Sequence, residues 1–183
     1  AKGIQILTGF LGQTYAQEFP LSLSCRVCFE QNYSGIDGDS ASSTELYCIL
    51  SSLSEIPIRQ DLAVTGSINQ RGEIQAIGGD TYKIEGFFDL CKKRGLTGTQ
   101  GVIIPKTNVK DLVLKDEVVE AVKNGVFHIY AISTLEEGIE LLMGKQAGKR
   151  NKSGKYPADS VHGKAMKKLK AYYKGATGEK TVK

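Results

Sequence analysis

The first thirty residues carry two different hydrophobic periodicities. Apolar side chains recur at helical spacing from Ile4 through Leu11 to Tyr15, which predicts an α-helix that ends before Pro20. Over residues 21–30 apolar and polar side chains alternate, and this period of two is typical of a half-buried β-strand. The chain is therefore predicted to open with one helix and one strand.

The middle of the chain continues to switch between helical and strand patterns. A second helix is predicted from about Ser40, and Pro57 marks its end. Residues 62–79 contain two short apolar stretches around a turn at residues 70–72, the pattern of a β-hairpin. A third helix is predicted from Asp80 to the glycine at position 95. The apolar face of the second helix comprises Leu46, Ile49, Leu50 and Leu53.

The last periodic segments lie between residues 101 and 143. The short apolar runs GVIIP and VFHIYAI predict two strands, and residues 117–123 and 134–143 predict two helices. No segment repeats another. Helices and strands alternating in this way predict an α/β (α+β) fold, with a mixed sheet and helices packed on short strands.

Charge divides the chain near Met143, where the periodicity ends. Residues 145–183 hold 12 Lys and Arg against 2 Asp and Glu, whereas residues 1–144 hold 12 against 18. The segment 145–183, called the basic tail, is rich in Gly, Lys and small polar residues and is predicted to be disordered apart from a brief amphipathic turn. The folded domain is predicted to span residues 1–144.

Because the chain begins with Ala rather than Met, we expect a piece of a longer chain whose N-terminal part is missing.

Composition excludes several classes of protein. The chain contains no run of about eighteen apolar residues, so no membrane-spanning segment is predicted, and its start lacks the features of a secretory signal. Cys25 and Cys28 form a Cys-x-x-Cys pair, but side chains three apart on a strand point to opposite faces. No second such pair follows, so we predict no metal site and reduced thiols in a cytoplasmic protein.

The segment GDSAS at residues 38–42 places a serine immediately before an apolar helix. In the simplest interpretation, Asp39 or Ser40 is the N-cap of that helix and has no further role, since both residue types are common there. A serine hydroxyl can also act as a nucleophile when a general base takes its proton. The local sequence leaves both interpretations open.

Lys83 lies in the first turn of the third helix, directly before the buried face that begins at Ile84. A cation is disfavoured there because the N-terminal end of a helix is electropositive and an apolar surface excludes water. Both effects favour the neutral amine, which is a general base, and Ser–Lys pairs are a known variant of the serine nucleophile arrangement. The alternative is a surface lysine whose stem covers apolar surface.

Several motifs occur together in one order and spacing. GDSAS is followed by PIRQDLAVTGSINQRGEIQAIGG, by Lys-Ile-Glu at residues 83–85, and by GVIIPKTN. This arrangement resembles the proteolytic domain of the Lon proteases, in the LonB type, over about residues 1–143. The resemblance implies the Lon proteolytic domain-like fold, without the strands that usually open it, and it does not cover the basic tail.

The resemblance implies a role for individual residues. Ser40 corresponds to the nucleophile and Lys83 to its general base, while Asp37 would orient the lysine or balance its charge. Thr65 matches a threonine whose hydroxyl accepts a hydrogen bond from the lysine. Asp37 could equally form an Asx-turn in its loop, and Thr65 could be an ordinary strand residue. Backbone N–H groups of Ser40 and Ala41 are the candidate oxyanion hole.

The resemblance also implies an assembly larger than this chain. The activity would be that of an ATP-dependent serine endopeptidase that degrades unfolded or damaged proteins as a hexameric ring. ATP and Mg²⁺ would belong to an ATPase module outside this chain, which lacks the P-loop pattern G-x-x-x-x-G-K-[ST] and needs no cofactor of its own. The alternative is a non-catalytic Lon-fold binding module whose basic tail binds nucleic acid.

Two histidines remain, and histidine is the usual general base. His128 lies within a strand pattern, where a structural role is expected, and His162 lies in the basic tail. Neither is predicted to take part in catalysis.

Overall fold

A computed structural model of the chain describes residues 2–30 and 38–178. Its elements in chain order are α1 (Lys2–Tyr15), α2 (Ser42–Ser54), β1 (Leu62–Val64), β2 (Ser67–Ile68), β3 (Ile74–Gln75), α3 (Asp80–Arg94), β4 (Gly101–Pro105), a 3-10 helix (Lys106–Asp111), α4 (Asp116–Lys123), β5 (His128–Ile132), α5 (Leu135–Met143) and α6 (Val161–Thr177).

Two small sheets organise these elements. β1, β4 and β5 form a parallel sheet with β4 in the centre, and β2 pairs with β3 in an antiparallel hairpin. Parallel neighbours require crossover connections, and here α3 lies in the connection from β1 to β4 and α4 in that from β4 to β5. The predicted α/β fold with a mixed set of strands is confirmed.

The central strand β4 separates two hydrophobic clusters. Ile103 belongs to the larger cluster, which includes α1, α2, α5 and α6, whereas Val102 and Ile104 belong to a second cluster with α3 and α4. Successive side chains of a strand point to opposite faces, so a strand covered on both faces needs an unbroken apolar run. This is why GVIIP is buried at all five positions.

The strand predicted over residues 21–30 is not formed. The segment runs without helix or strand between α1 and the end of the first described range, and no described residue pairs with it as a strand. The apolar side chains of the alternation nevertheless share one side of the segment, where Leu21, Leu23 and Cys25 line a groove against α1. Alternation therefore indicates which side chains lie on the same side, but a strand also needs a hydrogen-bonded neighbour, which no pattern within the segment can supply.

The predicted disorder of the basic tail is wrong for residues 145–178. Helix α6 buries Val161, Ala165 and Leu169 at helical spacing and packs on α2. The Ser160 hydroxyl caps α6 by accepting a hydrogen bond from the N–H of Gly163 at 3.1 Å. The lysines of α6 are exposed or half-exposed beside this narrow apolar stripe, so a Lys-rich composition and a packed helix are compatible.

His162 is buried rather than part of a disordered segment. Its Nδ1 lies 2.6 Å from the Tyr15 hydroxyl and its Nε2 lies 3.3 Å from Glu136 Oε1. Burial alone would raise the pKa of Glu136, but the hydrogen bond from His162, with backbone hydrogen bonding, lowers it overall. The imidazole therefore joins α6 to both α1 and α5.

Candidate active site

Ser40 lies in the turn that leads into α2. The helix begins two residues later, with Ala41 as its N-cap residue and no side-chain cap. The Ser40 hydroxyl instead faces α3, where the Nζ of Lys83 lies 3.1 Å from its Oγ. The structure thus assigns the side chain of Ser40 to contact with Lys83 and not to capping of α2.

Lys83 contacts two hydroxyl groups at once. Its Nζ lies 3.2 Å from the Oγ1 of Thr65 in addition to its contact with Ser40. Thr65 is buried and follows β1 directly, and its backbone N–H donates to the carbonyl of Ile103 on β4 at 3.0 Å. Three residues that are 18 to 43 positions apart in the chain therefore meet at one amine.

The helix start that carries Lys83 depends on a glycine. Gly79 is the N-cap residue of α3 and has φ of 71°, a left-handed conformation that a residue with a Cβ adopts only with strain. The backbone N–H of Lys83 donates to the carbonyl of Gly79 at 3.1 Å, as in a regular first turn. This conformation directs the chain from the β2–β3 hairpin into α3 beside Ser40.

The three polar side chains line a shallow cleft of about 240 Å³. Its other walls are formed by Ala41 and by small or branched apolar side chains of β1 and β4. Lys83 itself is exposed at the mouth of this cleft. An extended peptide could therefore reach the hydroxyl of Ser40 from solvent.

Two further serines fix the turn around the nucleophile candidate. The Ser43 hydroxyl donates to the Gly66 carbonyl at 2.7 Å, and the Ser42 hydroxyl accepts the N–H of Ile68 at 3.1 Å. In return the N–H of Gly66 donates to the Ser40 carbonyl at 2.9 Å. Sequence analysis missed both serines, because nothing in the run SASS distinguishes a buried clamp from ordinary helix-start residues.

Asp37, Asp39 and Ala41 also belong to the predicted site or adjoin it. Asp37 lies outside the described residues. Asp39, which follows Gly38, forms an ion pair with Lys2 at 2.8 Å, and this hydrogen bond lowers the pKa of its carboxyl. Ala41 lines the cleft, so its N–H and that of Ser40 stay candidates for the oxyanion hole.

Other candidate chemistry lies away from the cleft. His128 is on β5, with its Nε2 2.7 Å from the carbonyl of Gly98. Cys25 and Cys28 are both exposed, and within residues 2–30 and 38–178 no group of three or more His, Cys, Asp or Glu side chains could hold a metal ion. In the same part of the chain, no helix has both the length and the apolar character needed to cross a membrane.

Comparison with known proteins finds one family. The model of the Lon protease (S16) C-terminal proteolytic domain matches residues 31–145. A Lon protease homolog of Escherichia coli (strain K12) is 46% identical over 143 residues, which is 78% of this chain and 24% of that protein. A Lon protease homolog of Haemophilus influenzae is 45% identical over 152 residues, covering 82% of this chain and 25% of that protein.

The similarity extends to archaeal proteins. An archaeal Lon protease of Thermococcus kodakarensis is 40% identical over 117 residues, which is 64% of this chain and 16% of that protein. The chain thus spans about a quarter of the length of the two bacterial relatives and less of the archaeal one. With more than half of its residues matched by the family model, the chain belongs to the Lon protease (S16) C-terminal proteolytic domain family.

Proposed function

We propose that the chain is the serine endopeptidase domain of a Lon-type protease and that Ser40 and Lys83 form its catalytic dyad. The observation that carries this proposal is the 3.1 Å contact between Lys83 Nζ and Ser40 Oγ. This distance lies within the range over which a base takes a proton from a nucleophile. Family membership supports the peptidase class, and the contact supports the residues.

In the proposed acyl transfer, Ser40 is the nucleophile and Lys83 moves the proton in each step. Neutral Lys83 accepts the hydroxyl proton of Ser40 while Oγ attacks the peptide carbonyl, and the N–H groups of Ser40 and Ala41 would stabilise the resulting oxyanion. The ammonium of Lys83 then gives its proton to the leaving amine, which breaks the peptide bond and leaves an ester on Ser40. Water, deprotonated by Lys83, hydrolyses this ester and restores the hydroxyl.

Thr65 supports the base in this scheme. Its buried hydroxyl accepts one N–H of Lys83 at 3.2 Å, which orients the remaining lone pair or proton of the amine toward Ser40. Asp37 would complete the site as a charge partner of the lysine, as the family resemblance implies. Thr65 is a positioning residue in this proposal because it acts through the amine of Lys83. The same role is proposed for Asp37 on the family resemblance alone.

The complete protein would contain the parts that this chain lacks. In it we expect an ATPase module that uses ATP and Mg²⁺, a hexameric ring, a cytoplasmic location, and unfolded or damaged proteins as substrates. The described part of this chain would supply the peptide-bond chemistry alone. The alternative of a non-catalytic binding module receives no comparable support, because the nucleophile and base candidates are both present and in contact.

Cleavage of a fluorogenic peptide or of casein tests the dyad. We expect Ser40→Ala and Lys83→Met each to abolish cleavage while the thermal midpoint stays near that of the wild type, and the double variant to be no worse than either single one. Ser52→Ala on α2, the helix that follows Ser40, and Lys93→Ala on α3, the helix that carries Lys83, are matched controls, since both residues are exposed. Retained cleavage in either dyad variant would contradict the assignment.

A further inference from the structure

Asn108 makes a paired contact with the segment that precedes the lysine helix. It lies in the 3-10 helix after β4, is 7% exposed, and its Oδ1 accepts the backbone N–H of Ile77 at 3.1 Å. Its Nδ2 donates to the carbonyl of the same residue at 2.8 Å. One side-chain amide thus satisfies both backbone polar groups of Ile77, as a neighbouring strand would.

The segment held in this way is otherwise weakly attached. Ile77 lies in the connection between β3 and α3, followed by Gly78 and by Gly79 in the left-handed conformation. No side chain caps the start of α3. Glycines leave the backbone conformationally free, so the place where α3 begins depends on the contacts of its neighbours.

Two parts of the structure hold the amine of Lys83 in place: Thr65, which contacts it, and the start of α3, which carries it. Both are attached to the segment formed by β4 and Asn108. The strand β4 that leads to it also accepts the N–H of Thr65 through the carbonyl of Ile103. Thr65 is therefore held by Ile103 of β4, and Ile77, which precedes the helix of Lys83, is held by Asn108 just after β4. The relative position of the Thr65 hydroxyl and the Lys83 backbone depends on both attachments.

From this geometry we infer that Asn108 is a positioning residue for Lys83, acting through Ile77 and the first turn of α3. The inference rests on the proposed Ser40–Lys83 dyad. Loss of the amide leaves Lys83 in the chain but releases its helix start, and a misplacement of about 1 Å in a catalytic group can cost up to about 100-fold in rate. Because Asn108 does not line the cleft, substrate binding is not directly affected.

The test compares Asn108→Ala and Asn108→Asp with Asn151→Ala. Aspartate has nearly the volume of asparagine but lacks the donor, so it removes a hydrogen bond without opening a cavity. Asn151 is the matched control because its side chain also makes two hydrogen bonds to backbone groups: its Oδ1 accepts the N–H groups of Ser153 and Lys155, at 3.0 Å each, in the basic tail. Steady-state cleavage of a fluorogenic peptide is measured well below the thermal midpoint of every variant.

We expect kcat to fall about 10- to 100-fold in both Asn108 variants with KM changed less than about twofold, and no change in Asn151→Ala. A purely structural role would lower the thermal midpoint but leave kcat of the folded protein unchanged. Wild-type kcat in either Asn108 variant, or a loss that only follows the unfolded fraction, would overturn the inference.

The outcomes also separate this inference from the proposed function. Absence of cleavage by the wild-type chain, or cleavage by Ser40→Ala, contradicts the dyad and with it the role of Asn108. Cleavage that depends on Ser40 and Lys83 but not on Asn108 contradicts only the role of Asn108. Hydrogen exchange of the Ile77 amide, which should become faster in Asn108→Ala, reports the released contact without using activity.

Discussion

Replacement of Leu169 by alanine tests whether α6 is part of the folded domain. Leu169 is fully buried among residues of the larger hydrophobic cluster, although it lies between lysines at positions 168 and 170. Truncating a buried leucine removes its transfer free energy and leaves a cavity, which together cost about 2–5 kcal/mol. For a chain of this size 1 kcal/mol corresponds to a shift of about 2–4 °C in Tm, so a central value of about 3 kcal/mol predicts a loss of about 6–12 °C.

Thermal and urea unfolding followed by circular dichroism measure this effect. Leu90→Ala is the matched control, since the Leu90 side chain is 45% exposed on α3 and its truncation should cost well under 1 kcal/mol. If Leu169→Ala changed the free energy of unfolding no more than Leu90→Ala, α6 would not be packed on the core in solution. The charge of the basic tail would then have been the better guide to its structure.

Two further predictions concern the segment next to the active site and one ion pair. A Cβ at Gly66 would lie 3.3 Å from Ser43 Oγ, so Gly66→Ala should destabilise the protein by about 1–3 kcal/mol and reduce cleavage. The control is Gly86→Ala in open space on α3, which should stabilise the protein by about 0.5–1 kcal/mol. Equal effects of the two substitutions in urea unfolding would contradict this prediction. Hydrogen bonds from Arg59 lower the pKa of Asp61 from 3.8 to about 2. The ionised carboxylate therefore stabilises the folded protein fully at a pH above the pKa it has in the unfolded chain, and this stabilisation is lost as the pH falls to about 2. The Tm difference between wild type and Asp61→Asn should therefore be present at neutral pH and vanish near pH 2, and a difference that does not change with pH would refute the role of the ion pair.

The sequence could predict features that depend on neighbours along the chain. Helices α2, α3 and α5 follow from apolar periodicity with breakers at their ends, such as Gly95, which ends α3. The short apolar run GVIIP indicated a strand, and the structure has it as β4. At the site, the order and spacing of several motifs carried the family resemblance, and this resemblance paired Ser40 with Lys83. The residues alone left two alternatives open: a helix cap for Ser40 and a surface lysine for Lys83.

Where local pattern and tertiary contact disagreed, the tertiary contact decided. The alternation over residues 21–30 predicts a strand, but backbone hydrogen bonding needs a neighbour that the described chain does not provide there. The basic tail suggests disorder, yet a stripe of three small or branched apolar side chains and the contacts of His162 attach α6 to the core. Composition averages over a segment, whereas packing depends on which few side chains face the same way.

What the sequence by itself determined is therefore the set of elements and the chemical groups available to the site. The resemblance paired Ser40 and Thr65 with Lys83, but only the tertiary structure shows how the two hydroxyls are brought to one amine, because this depends on how three separate elements are held together. The buried clamps Ser42, Ser43 and Asn108 do this by binding backbone groups 23 to 31 residues away. Such contacts leave no periodic signal, because a hydrogen bond to a distant backbone group constrains the position of a side chain in space and not its spacing along the chain.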